Sequence, residues 1–231
     1  MTPVAEFNTF ADSVAAARLY ALTSPQPSTT MPPTLPTPSG HQNSSPPLPH
    51  QGPYPTSKLW RKLTVTLFPL DITSPHLLTR GEYNAHIQPL LEAGSPLAEW
   101  TNAWLGATFA KVESLQTNVS GDAVGLELHD PLCVWYVLAQ AAEGSRGLEG
   151  WKCIQNEDVR VETTGQWTRG MCVVDGRSRR RREEESLQEV PGDAGNWLSA
   201  RSGNRLRRCV GTPDGGRGVF GRFLLGRLFV D

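Results

Sequence analysis

The chain has 231 residues, with 22 basic against 23 acidic side chains and a formal net charge of −1, so nothing in its charge draws it to bulk nucleic acid or an anionic membrane surface. Hydrophobic residues make up 38% of it, including 7 Trp and 7 Phe, which supplies apolar surface for a packed core and excludes a wholly disordered chain. The 19 Pro and 22 Gly exceed the share of an ordinary globular domain, so part of the chain lies outside any core.

No stretch approaches the ~18 to 20 uninterrupted apolar residues of a membrane span. The opening MTPVAEFNTFADSV has acids where a secretory signal needs a basic region and an apolar core, which predicts an intracellular, cytoplasmic protein. For the same reason the glycosylation patterns at Asn43 and Asn118 carry no meaning. Cys133, Cys153, Cys172 and Cys209 form no CxxC pair and keep no regular spacing with His. Neither a zinc site nor a disulfide framework is predicted, and buried or idle thiols are expected.

Along the chain, Glu6 and Asn8 alternate about Phe7, so in an extended segment both point to one side. Such a carboxylate and amide suit the vicinal hydroxyls of a sugar, or are two solvated polar residues. ADSVAAARLYAL, residues 11–22, predicts a short helix capped by Asp12 or Ser13. Residues 24–57 are dense in Pro, Ser and Thr with almost no aliphatics, which predicts a disordered insertion of polyproline II character. Its PxxP patterns lack a flanking basic residue and read as spacer.

LTVTLFPLDI at 63–72 is apolar on both parities, as in a strand buried on both faces, with Pro69 marking its end. From His76 to Leu115 two or three helices are predicted, broken near Gly81, Pro89 and Gly94-Ser95-Pro96. AVGLEL approaches as a strand, and residues 131–142, PLCVWYVLAQAA, predict a helix apolar nearly all round and therefore in the core. His129-Asp130 stands at that junction, either as a capping arrangement or as a ligand site beyond a strand end. DVRVET and GMCVV predict a strand pair. RSRRRREEE, at 177–185, sets five arginines against three glutamates that locally neutralise it and predicts a solvated loop within about residues 176–195. VFGRFLLGRLFV predicts a terminal amphipathic helix. The seven tryptophans are expected in the core or between helices.

TPVAEFN at the N-terminus, LFPLDIT with HLLT at 67–79, LHDP at 128–131 and TRGMCVVD at 168–175 resemble, in order, four landmarks of the inosine-uridine preferring nucleoside hydrolases. The Pro-rich and Arg/Glu-rich insertions resemble those of fungal uridine nucleosidases. The resemblance implies an α/β fold, the C-terminal portion of a layered architecture with a central mixed sheet flanked by helices. Residues 1–23 would begin the domain, 24–57 would be the insertion and 58–231 the remainder. It also implies hydrolysis of the N-glycosidic bond of ribonucleosides such as uridine or inosine, with a tilt to pyrimidines. Glu6 and Asn8 would hold ribose hydroxyls, His129 would assist departure of the base, and Asp130 would ligate Ca²⁺ and touch ribose.

The implied partners are a ribonucleoside and, by self-association, a homo-oligomer, with no nucleic acid and no membrane. The family's Asp-rich DxDxxxDD loop, which supplies most calcium carboxylates and the base that activates water, has no counterpart in this sequence. The resemblance therefore reads as a truncated member with an incomplete calcium site. The alternative function is a non-catalytic remnant or interaction protein. Uncovered apolar helix faces are expected in either case.

Overall fold

The computed structural model describes residues 2–32, 63–141, 149–183, 190–213 and 219–229. Most of the Pro-rich segment, Trp60 and residues 184–189 of the charge block lie outside the described residues. Secondary structure is mixed α/β, and the chain divides into two units, one of residues 1–67 with 154–208 and one of 68–153 with 209–231. No helix among the described residues is long and apolar enough to cross a membrane.

In the first unit, α1 (Phe7–Ala11) and α2 (Ser13–Ala21) follow each other directly. Asp12 supplies the cap of α2, its Oδ1 accepting from the Ala15 N–H at 2.8 Å, which satisfies a donor the first turn leaves open. The helix buries Ala17 and Tyr20 against Val159, Val161 and Leu206. The predicted strand pair is present: β5 (Val159–Val161) and β6 (Cys172–Val174) are antiparallel, Val159 opposite Val174. β1 (Thr66–Leu67) pairs in parallel with β7 (Leu206–Gly211), and β7 also borders β4 (Lys152–Glu157). Arg208 reaches Glu157 at 2.9 Å while Gly211 lies against Lys152, so β4 runs opposite to β7 and the sheet is mixed.

The described part of the charge block is the exposed loop expected, with Arg179, Arg180, Arg181 and Glu183 exposed, but two of its arginines also reach inward. Asp193 is buried and accepts from Arg177 at 3.2 Å, Arg182 at 2.9 Å and the Leu198 N–H at 3.0 Å. Two of the arginines thus serve an internal carboxylate, because a buried charge must be paired. Arg160 binds Asp158 at 2.9 Å and lies 3.8 Å over the Trp197 ring.

In the second unit, α3 (Leu70–Thr73) begins directly after Pro69, the residue expected to end the strand, and takes up the last residues of the 63–72 segment. The strand ends after two residues because Pro69 cannot donate to a ladder, and its carbonyl instead accepts from the Ile72 and Thr73 N–H groups. β2 (Leu77–Thr79) and β3 (Gly125–Glu127) are antiparallel, Leu78 opposite Leu126. α4 (Arg80–Glu92) starts one residue before Gly81, at the boundary expected near it, and runs through Pro89, which was expected to break it. A reciprocal cap between Thr79 and Glu82 starts it, and Gly81 admits the Asp122 side chain, which would sit 3.0 Å from any added Cβ. The break falls at Gly94, in a left-handed conformation at φ 72°.

α5 (Pro96–Leu115) turns Ala98, Thr101, Leu105 and Phe109 inward, a helical spacing. Together with Tyr83 and Ile87 of α4, Leu132 of α6 (His129–Ala141) and Phe220 and Leu225 of α7 (Val219–Leu228), Ala98, Leu105 and Phe109 form the main core. Trp135 stacks on Phe220 at 4.7 Å, and Trp151 meets Trp135 edge-on at 5.2 Å. α6 is not the enclosed helix its composition predicts: Leu132 and Tyr136 are buried, whereas Val134, Val137 and Leu138 are 58%, 60% and 63% exposed. With exposed Trp100 and Trp104 of α5, Val134 and Leu138 border an apolar groove of about 1040 Å³ within this unit. Trp100 and Trp104 of α5 and Trp167 in a turn of the first unit are exposed, against the expectation of tryptophans in the core or between helices.

Candidate functional site

His129 opens α6 directly after β3, one residue beyond Leu128, whose N–H donates to the His76 carbonyl at 2.9 Å. Both ring nitrogens are engaged. Nδ1 lies 2.7 Å from the Thr73 hydroxyl, at the end of α3, and Nε2 lies 3.0 Å from a Glu127 carboxylate oxygen. With Nε2 protonated, the ring donates to Glu127 and accepts the Thr73 O–H. Thr73 is buried, while the His129 and Glu127 side chains are 35% and 49% exposed, so the ring is anchored on its inner side and open on its outer side. Asp130, next in sequence, is exposed in the first turn of the helix, where the aligned peptide dipoles favour a negative charge. Among the described residues it forms no hydrogen bond or ion pair.

His76 is a second, enclosed histidine. Its Nε2 meets the Thr212 hydroxyl at 3.0 Å, its Nδ1 has no partner among the described residues, and burial lowers its pKa. It is a neutral packing residue, edge-on to Phe220 at 6.0 Å.

Glu6 and Asn8 belong to the first unit, and their conformation corrects the extended reading. Glu6 itself is extended, but its carboxylate accepts from the N–H groups of Asn8 at 2.9 Å and Thr9 at 3.2 Å, which caps α1 and draws Asn8 into the helix. The two side chains therefore do not alternate along a strand. Asn8 is exposed. Burial, the Cys172 thiol and the Glu6 charge together raise the Tyr20 pKa.

The structure joins the four sequence landmarks in pairs. In the first unit, Gly170 of TRGMCVVD, at φ 86°, approaches α1 so closely that a Cβ would lie 2.7 Å from the Phe10 Cα, and Arg169 stands 4.3 Å over the Phe10 ring. In the second, Thr73 of LFPLDIT and His76 of HLLT hold His129 and Leu128 of LHDP. Thr73 and Glu127 were not singled out as site residues in the sequence. Thr73 is 56 residues from His129, and no local pattern relates them.

Among the described residues no three His, Cys, Asp or Glu side chains gather closely enough to hold a metal ion. No curated protein matches the chain. The profile of the inosine-uridine preferring nucleoside hydrolases matches residues 1–194. Spanning most of the chain, that match shows that it belongs to the inosine-uridine preferring nucleoside hydrolase family.

Proposed function

We propose that the protein hydrolyses the N-glycosidic bond of ribonucleosides, uridine or inosine, to a free base and ribose. The supporting observation is His129, anchored at Nδ1 by a buried hydroxyl and at Nε2 by an exposed carboxylate. Glycosidic cleavage passes through an oxocarbenium-like sugar, and the departing base accumulates negative charge until it is protonated. As an imidazolium, His129 donates from both nitrogens, and Nε2–H is the proton on the open side, available to a base heteroatom in exchange for Glu127. Asp130, adjacent and uncommitted, accepts a ribose hydroxyl. For Glu6 and Asn8 a role toward ribose rests on the family resemblance, and a carboxylate holding two N–H groups keeps lone pairs for a hydroxyl.

The family is metal-dependent, and calcium is the ion the resemblance implies. The described residues do not fit it. Calcium takes six to eight oxygens, several of them carboxylate, and Asp130 is the one described carboxylate assigned to it. The chemistry above therefore rests on the protein's own groups.

The test is incubation of the full chain with uridine and with inosine, with and without millimolar Ca²⁺, measuring base by chromatography and ribose as reducing sugar. Equimolar base and ribose, lost in His129→Ala, is the expected result. A second reading, a non-catalytic member of the family, is favoured by the misfit of the donor set to calcium. No base release in either condition, with a melting temperature unmoved by Ca²⁺, would establish it, since a bound ion stabilises by mass action.

A further inference from the structure

Three of the four thiols, Cys133, Cys153 and Cys209, lie in the second unit, and all four cysteines are free. β4 and β7 are adjacent strands running in opposite directions, and Arg207 Nε donates across them to Gln155 at 3.0 Å. Cys153 lies two residues before Gln155 and Cys209 two residues after Arg207. On oppositely directed strands those steps bring the two cysteines alongside each other. Cys153 Sγ stands 4.0 Å from the Tyr136 hydroxyl of α6. Cys209 is fully buried, its Sγ 3.4 Å from the Gly211 carbonyl oxygen. Burial pushes the Cys209 thiol up to about 11, and the charge and hydrogen bonding of the adjacent Cys153 thiol add to that push. Cys133 is tied to its own helix, its Sγ 3.6 Å from the His129 carbonyl.

We propose that Cys153 and Cys209 are an oxidation site, a thiol pair that a peroxide converts to a reversible disulfide between β4 and β7. Cys153, the less buried of the two, reacts first. Its thiolate sulfur bonds to one peroxide oxygen as the O–O bond breaks, giving a sulfenic acid and releasing the other oxygen as hydroxide, so that the peroxide takes up two electrons. Cys209 sulfur then attacks the sulfenic sulfur. The S–S bond forms, the S–O bond breaks, and the oxygen leaves as water with the Cys209 proton. A dithiol reverses the reaction and is itself oxidised to a disulfide. Strand-neighbour separations of about 4.5 to 5.5 Å between Cα atoms fall within the range a disulfide spans.

The position gives the bond a consequence. The chain passes between its two units at Cys153–Ile154 and at Arg208–Cys209, so the disulfide closes residues 154–208 into a covalent loop. Restricting that loop in the unfolded state raises the melting temperature.

The experiment treats the full native chain with hydrogen peroxide, blocks the remaining thiols and maps the peptides by mass. The expected result is a fall from four free thiols to two, a linked Cys153–Cys209 peptide, a higher melting temperature, and reversal of all three by dithiothreitol. Cys133→Ser and Cys172→Ser should keep the link, and Cys153→Ser or Cys209→Ser should abolish it. A full thiol titre after peroxide, overoxidised single cysteines, or a link through Cys133 or Cys172 overturns the proposal. Should Cys209→Ser fail to fold, the wild-type peptide map decides alone.

Discussion

Asp193→Ala removes the acceptor on which the charge block converges. Three donors lose this acceptor: Arg182 at 2.9 Å, the Leu198 N–H at 3.0 Å and Arg177 at 3.2 Å. A buried N–H left without an acceptor costs about 1–3 kcal/mol, and a lost charge-assisted bond about 1.5–3 kcal/mol. Arg177 adds little, about 0.5 kcal/mol, because its side chain is 36% exposed and also binds Asp175 at 2.8 Å. Water entering the space left by the carboxylate recovers part of the total, so the expected loss is about 3 kcal/mol. Urea unfolding followed by tryptophan emission reads this change, because Trp197 is packed under Arg160 in the same unit. With an m-value of about 2 kcal/mol/M, the midpoint should fall by about 1.5 M. Asp175→Ala, which leaves the buried carboxylate in place, should shift it far less. A loss below about 1 kcal/mol for Asp193→Ala, or equal losses for the two variants, would show that these contacts are solvated surface pairs and refute the reasoning.

The same carboxylates set the acid limb of stability. Burial alone would raise the Asp193 pKa, but the Leu198 N–H and the two arginines outweigh it and lower it, and hydrogen bonds from Arg177 bring Asp175 down to about 2. Both contributions are complete above about pH 4 and are lost as the pH falls through the folded-state values, so melting temperature should decline toward pH 2 and Asp193→Asn should flatten that decline. Leu132→Ala, at a fully buried position of the main core, should cost about 3 kcal/mol in denaturant unfolding of the second unit. Leu138→Lys, at a position 63% exposed on the groove, should change stability by less than about 0.5 kcal/mol and reduce ANS fluorescence. An unchanged dye signal would mean the groove is not the exposed apolar site. Thr73→Val removes the hydroxyl on His129 Nδ1, and should cost about 1 kcal/mol and shift the His129 ring resonances in NMR spectra. Unmoved resonances would deny the anchor.

Local rules in the sequence located α2, β3, the β5–β6 pair and α7, because a cap, an alternation or an amphipathic period specifies each of them within a few residues. The same rules misplaced Pro89 as a break. It lies within α4, where the Thr79–Glu82 cap and the burial of Tyr83 and Ile87 outweigh its local cost. α6 departs from its reading for the opposite reason: its apolar content says how much surface it has to bury, not whether a neighbour covers it, and Val137 and Leu138 are 60% and 63% exposed. At the candidate site, His129-Asp130 was legible because the pair stands at a strand-to-helix junction. Thr73 was not, because a hydroxyl 56 residues away becomes a partner only once α3 and α6 pack. Asp193 was hidden likewise, since an acid among glycines reads as loop until two arginines of the charge block close over it.

The way the landmarks pair bears on what each is for. A short motif conserves backbone geometry when another segment approaches too closely for a side chain, and Gly170 against Phe10 is such a contact. That contact fixes α1, and α1 is started by Glu6, so the residue proposed for ribose also sets the local backbone on which Asn8 is displayed. A Glu6→Gln substitution keeps an acceptor for the cap but loses the charge, whereas Glu6→Ala loses both. The two therefore separate a capping role from a role toward substrate. His129 is different, because its two nitrogens face distinct partners: Nδ1 meets the buried Thr73 hydroxyl, and Nε2, beside the exposed Glu127 carboxylate, is the atom the proposed reaction would use.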